Sequence, residues 1–271
     1  MSKLLSQALS AVTGESTPTI AVSAKWYSFP DRFEWLASQG FSFEYTSDPE
    51  QLSLIGDHTR PFLDKGIAIR HHGFFPGFEI GDKDSKQADT AMDLHFKTLD
   101  AIRGIGEPFI TLHVGLTRRV EIVPNRVCDN LGRLVDYAKN LGITVSLENL
   151  KQGVTSNPKT VREWADCTGA MITLDIGHAV SSELVSSGEE TVLGIIDLFE
   201  DRLAEVHLYE REIDRHYAPE NMVILGPIID RLLKARCPWW TIELDDYEDI
   251  LKTRQLIETH LLSKLPGRLF N

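Results

Sequence analysis

The sequence predicts a single α/β domain folded as a (β/α)8 TIM barrel, and three observations lead there. Eight strand-like apolar runs alternate with helix-like segments along the chain. Its 271 residues match the roughly 250 typical of such a barrel. Five of the apolar runs stop on an ionisable side chain: Leu112-His113, Leu147-Glu148, Leu174-Asp175, Val206-His207 and Ile242-Glu243. An unpaired carboxylate at the end of a buried strand costs several kcal/mol, so Glu148 and Asp175 need a metal or hydrogen-bond donors as partners.

Composition sets the outer bounds. Hydrophobic residues at 42% and charged residues at 25% supply an ordinary globular core. A net charge of -12 argues against a globally basic nucleic-acid surface, while leaving room for a local basic rim. Cys128, Cys167 and Cys237 form no C-x-x-C pair, so neither a disulfide framework nor a thiolate zinc site is expected, and the expected setting is reducing and cytoplasmic. No apolar run reaches membrane-spanning length and the start of the chain lacks a signal-peptide core, so no membrane partner is expected.

Residues 1–17 read as a small, polar N-terminal extension and residues 18–271 as the barrel. Thr19 to Ala24 is the first strand, and Pro30-Asp31 opens a helix as dipole and capping rules prefer. Phe41 to Tyr45 alternates as a second strand, with a helix opening at Asp48-Pro49. Gly66 to His72 is the third strand. It feeds the aromatic, Gly-rich loop Gly73-Phe74-Phe75-Pro76-Gly77-Phe78, followed by a helix over Lys86 to Ile105 and a strand over Pro108 to His113. Pro124 to Leu141 is an amphipathic helix stopped by Gly142. Strands over Ile143 to Leu147, Met171 to Leu174, Leu203 to Leu208 and Trp239 to Leu244 then alternate with helices over Pro158 to Asp166, Glu189 to Phe199, Pro227 to Ala235 and Tyr247 to Leu262.

Parallel barrel strands bring their C-terminal ends to one face, which carries the active site in essentially every characterised barrel of this kind. The residues expected to converge there are His72, His113, Glu148, Asp175, His178, His207, Asp214, His216 and Glu243. Nitrogen and carboxylate donors without thiolate suit Zn, Mn, Mg or Co. Glu148, Asp175, His207 and Glu243 end four different strands and are the expected ligands of one divalent ion. His71 alternates with His72, so at most one of the two points at the site. His58, His95 and His260 fall on helices or surface loops and receive no chemical role.

These strand ends resemble those of the xylose isomerase-like barrel superfamily, which groups sugar and sugar-phosphate isomerases and epimerases with the AP endonuclease IV family. The resemblance spans nearly the whole chain and is carried by Leu147-Glu148-Asn149, Leu174-Asp175-Ile176-Gly177-His178-Ala179, Val206-His207-Leu208 and Ile242-Glu243. It implies a metal-dependent isomerase or epimerase of a sugar or sugar phosphate. Glu148 and Glu243 would be the two catalytic bases and metal ligands beside Asp175 and His207, and His178, His72, His113 and Arg215 would contact substrate. The alternative it implies is a multi-zinc phosphodiesterase acting on abasic DNA, with His72, His113, His178, Asp214 and His216 as additional ligands. Asp214-Arg215-His216 is similar to that family's Asp-Arg-His triplet. Against that alternative stand Gly73-Phe74-Phe75-Pro76, Ile176-Gly177 and Leu208-Tyr209-Glu210-Arg211, which depart from its loop signatures. Arg118, Arg119, Arg211 and Arg215 can neutralise a substrate phosphate in either case. A third possibility, a barrel binding metal and ligand without turnover, leaves the paired bases unexplained.

Overall fold

The structure, a computed structural model, describes residues 17–264. Its barrel strands are β1 Thr19–Lys25, β2 Ser42–Thr46, β3 Ile69–Gly73, β4 Phe109–Leu112, β5 Thr144–Glu148, β6 Met171–Asp175 and β7 Leu203–Leu208. A two-stranded hairpin, β8 Arg211–Glu212 and β9 His216–Tyr217, precedes the last barrel strand, β10 Trp239–Ile242. The barrel closes in the order β1-β10-β7-β6-β5-β4-β3-β2 with every neighbour parallel. Helices Asp31–Ser38, Ile55–Leu63, Ser85–Ile102, Pro124–Asn140, Pro158–Thr168, Val192–Phe199, Leu225–Lys234 and Tyr247–Ser263 make the connections between strands and the closing element. Among the described residues no helix is long and apolar enough to cross a membrane.

Strand alternation divides the molecule into two environments. Ile110, Leu112, Val145, Leu147, Ile172, Leu174, Val206, Leu208, Trp240 and Ile242 belong to one continuous apolar core with the helices. The residues between them point the other way, into the barrel. There Thr111, Ser146 and Thr173 join hydroxyl to hydroxyl at 2.8–2.9 Å across three strands. Glu205, in register with Thr173, accepts from Thr241 and pairs with Arg70 at 3.1 Å. The barrel axis is therefore polar, and its apolar sheath supplies the burial that stabilises the fold.

Two buried charges set the loops around the mouth. Arg32 donates to the carbonyls of Ser23, Leu244 and Asp245, closing the seam between β1 and β10. The Glu79 carboxylate accepts from the backbone N–H groups of Gly115 and Thr117, tying the loop after β3 to the loop after β4.

Some boundaries differ from expectation for local reasons. The helix expected at Asp48 starts at Ile55, after a short 3-10 turn at Leu52–Leu54. Asp48 instead accepts from Glu50 N and Gln51 Nε2, holding the chain in a side-chain-capped turn. The helix expected at Glu189 starts at Val192 because the Thr191 hydroxyl caps it through Gly194 N. Cys128 and Cys167, expected to be unpaired, form a disulfide between helices Pro124–Asn140 and Pro158–Thr168. These helices pack side by side, a proximity that a sequence separation of 39 conceals. The pairing also removes cysteine spacing as an argument for a reducing compartment. Of the extension expected over residues 1–17, residues 1–16 lie outside the described residues.

Candidate metal centre

The C-terminal ends of the strands and the loops that follow them bring eight of the nine expected donors together in three sets. His72, His113 and Glu148 form the first; Glu148, Asp175, His207 and Glu243 the second; and His178, His216 and Glu212 the third. Glu148 belongs to two of them. Its Oε2 lies 3.3 Å from both His72 Nε2 and His113 Nε2, which are themselves 2.7 Å apart. Its Oε1 lies 3.2 Å from His207 Nδ1, with Glu243 Oε2 at 3.3 Å from the same nitrogen.

Each side chain is aimed by its neighbours. Asp175 ends β6 and caps the short helix Ile176–Ser181 through His178 N at 2.6 Å, so His178 sits on a helical turn rather than on a loop. The Asn149 side chain binds the backbone of Asp175 at both its N–H and its carbonyl, locking β5 to β6 beneath the site. Tyr209 is fully buried; its hydroxyl donates to Asp175 Oδ2 at 3.0 Å and its ring stacks on His216 at 3.9 Å. Position 177 has to be glycine for that ring to fit, since a Cβ there would fall 2.0 Å from it. His178 Nδ1 donates to the Asn149 carbonyl and His216 Nδ1 to the Glu243 carbonyl, which leaves the Nε2 atoms for the site. His71 turns outward, as alternation requires, and donates to the Ile105 carbonyl.

Asp214 does not join the cluster. It occupies the tip of the β8–β9 hairpin, exposed and bonded to the Tyr217 hydroxyl. Glu212 takes its place. It pairs across the hairpin with His216, so the two share one face, and its Oε2 lies 3.3 Å from His178 Nε2. Arg215 is likewise turned away: its guanidinium lies over the Tyr217 ring and outside the cavity wall. The tight turn between Glu212 and His216, invisible in residue types alone, decides both cases.

The donor set fits divalent ions. Glu148 Oε2 and His207 Nδ1 are buried without a hydrogen-bond partner, although charged groups surround them. Glu44, Glu148, Asp175 and Glu205 are fully buried, and the permanent cation beside them, Arg70, is committed to Glu205. The electrostatics are those of a site short of positive charge. Burial lowers the His72 pKa, but Glu44 and Glu148 outweigh it and leave the group raised to about 9. Burial likewise opposes the charge on His178, and Asp175 with Glu212 raises it to about 10. His207 is held well above the ordinary range against its burial by Glu148, Glu44 and Glu243. Burial pushes Asp175 up to about 6, while Glu148 stays low despite burial because the charged His207 and His72 face it. Burial brings His113 down to about 3, keeping it a neutral nitrogen donor.

A cavity of about 530 Å³ opens over these residues. Lys25, Arg118 and Lys151 bring positive charge to its wall, and Trp26, Tyr27 and Phe74 bring aromatic surface. Glu44, Glu212, Tyr209, Lys25 and Lys151 were not singled out by sequence. For Glu44 a signal existed: in Phe43-Glu44-Tyr45 it is the polar residue of an alternating strand.

The model of the xylose isomerase-like TIM barrel family matches residues 35–261. The chain belongs to that family. An uncharacterised protein of Methanocaldococcus jannaschii is 32% identical over 157 residues, covering 58% of this chain and 68% of that protein. Among solved structures, the 3-keto-D-glucoside 4-epimerase of E. coli superposes with a TM-score of 0.71 at 17% identity, over 91% of this chain and 100% of the other. Endonuclease IV of Thermus thermophilus superposes with a TM-score of 0.67 at 15% identity, over 91% of this chain and 100% of the other. At such identities the structural likeness concerns the fold. This xylose isomerase-like barrel thus shares its scaffold with a sugar epimerase and with a DNA endonuclease.

Proposed function

We propose that this barrel is a metal-dependent hydrolase of a phosphoester, with its ions gathered around Glu148. The bridging position of Glu148 carries the proposal. Its two oxygens face different donors, one the His207 set at 3.2 Å and the other the His72 and His113 pair at 3.3 Å. A carboxylate held from both sides is poorly placed to carry a proton to and from a substrate carbon, as the two-base isomerase scheme requires. It is well placed to join two cation sites.

Divalent ions held there would lower the pKa of water and neutralise charge developing on a phosphoryl group. The chain's own residues supply the rest. Lys25, Arg118 and Lys151 would hold non-bridging phosphate oxygens by charge-assisted hydrogen bonds. Trp26, Tyr27 and Phe74 would pack against the sugar or base and keep bulk water out. A cavity of about 530 Å³ admits one sugar-phosphate or nucleotide unit, so the substrate class is a small phosphoester or a single extruded unit of abasic DNA.

A second reading, a sugar or sugar-phosphate isomerase or epimerase, is favoured by a different observation. Glu148 and Glu243 stand 3.2 and 3.3 Å from one nitrogen of His207, as two carboxylates flanking a single ion would. His72, His113 and His178 would then hold substrate oxygens.

Metal content by inductively coupled plasma mass spectrometry, paired with assays on bis-p-nitrophenyl phosphate, abasic DNA and a ketose panel, separates the two. Two or three zinc ions per chain with phosphoester cleavage is the expected result. One ion per chain with ketose epimerisation would reverse the ranking.

A further inference from the structure

We infer that Glu44 is a positioning residue that holds His72 and His207, and through them two of the three donor sets, from beneath. The inference rests on the reading of the cluster as a metal centre and extends it to a residue outside the three donor sets described above. Glu44 lies in the middle of β2 with 0% exposure, pointing into the barrel. Its Oε1 is 3.1 Å from His207 Nε2 and its Oε2 is 3.8 Å from His72 Nδ1. These are the far nitrogens of both rings. The opposite nitrogens, His207 Nδ1 and His72 Nε2, are the ones that face Glu148.

A neutral imidazole carries a proton on one nitrogen and a lone pair on the other, so an acceptor beside one decides what the other can do. A carboxylate at His207 Nε2 keeps the proton there and frees Nδ1 as a donor atom for a cation. At His72 the hydrogen-bond partner of Nδ1 is the Thr46 hydroxyl at 3.3 Å, and the Glu44 charge at 3.8 Å favours a proton on that nitrogen, leaving Nε2 as the donor atom. Glu44 Oε2 has no hydrogen-bond partner and faces His72, while Oε1 faces His207. Glu44 could also be grouped with Glu205 and His207 as a cation site of its own. Glu205, however, already accepts from Thr241 at 2.6 Å and pairs with Arg70 at 3.1 Å. Glu44 is thus the support that two subsites share, one from β3 and one from β7.

The test follows zinc chloride titration of the 15N-histidine-labelled full chain by NMR, which reads His72 and His207 separately. In the zinc-bound wild type, protons on His207 Nε2 and His72 Nδ1 are expected, with the opposite nitrogen of each ring deprotonated. Glu44→Gln, with one acceptor and one donor, cannot serve both rings. It should raise the zinc concentration at which both signals shift by about 10–100-fold, the usual cost of losing a carboxylate behind a ligating histidine. Glu205→Gln, equally buried but away from His72, should leave the His72 signal titrating as in wild type. Unchanged titration in Glu44→Gln, or weakening of only one histidine, overturns the inference. Should Glu44→Gln fail to fold, Glu44→Asp supplies the answer: weakening of both signals supports the shared support, and wild-type titration overturns it. Absence of any zinc shift in the wild type would instead remove the metal-centre reading itself.

Discussion

His71 and His72 are neighbours in β3 and live in different molecules, chemically speaking. His71 faces the sheath between strands and helices, donates to one backbone carbonyl, and burial lowers its pKa to about 4. His72 faces the axis, and the carboxylates around it overcome the same burial and raise it to about 9. Both rings are buried to within a few per cent. Burial therefore does not set the chemistry here; the sign of the surrounding charge does. The sheath keeps the barrel folded, and the axis concentrates negative charge that a bound cation would balance.

Substitutions that touch only one side should break this division cleanly. The largest effect is expected on the axis. Glu148→Gln should lower activity by more than the roughly 100-fold typical of losing a mere supporting group, because two donor sets lose a charge at once; assays and metal analysis on the same sample check it. A loss of one ion with activity retained would mean that Glu148 does not bridge.

On the sheath side, Leu147→Ala, one residue away and fully buried, should cost about 2–5 kcal/mol of stability. Denaturant unfolding measures this, and zinc affinity should stay as in wild type. A parallel fall in affinity would show that sheath and axis are not separable.

His95, buried against Phe75 with its pKa lowered to about 4, belongs with His71. A group whose folded pKa is lowered is protonated more readily in the unfolded chain. Its contribution is therefore complete above about pH 6.5 and is lost as the pH falls towards 4, by up to about 3 kcal/mol. His95→Leu should flatten the acid limb of the stability profile over that window, and an unchanged limb would count against the assignment.

The smallest and sharpest contrast lies within the hairpin. Glu212→Ala should weaken zinc binding about 10-fold, whereas Asp214→Ala should change it by less than about twofold, as surface substitutions usually do. Calorimetric titration decides between them, and the reverse order would restore Asp214 to the cluster.

Much of this molecule was legible in its residue order, and for a physical reason. The alternation of strand and helix patterns, the family pattern at Leu174-Asp175-Ile176-Gly177-His178, and the convergence of parallel strand ends are all local or follow from topology alone. That is why Glu148, Asp175, His207 and Glu243 could be expected at one place. Glu212 and Asp214 could not be told apart, because a two-residue offset in a tight hairpin reverses which carboxylate faces the site. Glu44 was passed over because its partners lie 28 and 163 positions away in β3 and β7. The Cys128–Cys167 pairing depends on how two helices pack side by side. Sequence by itself determined the barrel, the polarity of its mouth and the donor types, since these rest on periodicity and composition. Tertiary structure alone decided that Glu148 faces two donor sets, that Glu44 lies beneath both, and that Glu212 stands where Asp214 was expected, since each depends on distances across the barrel that no local pattern encodes.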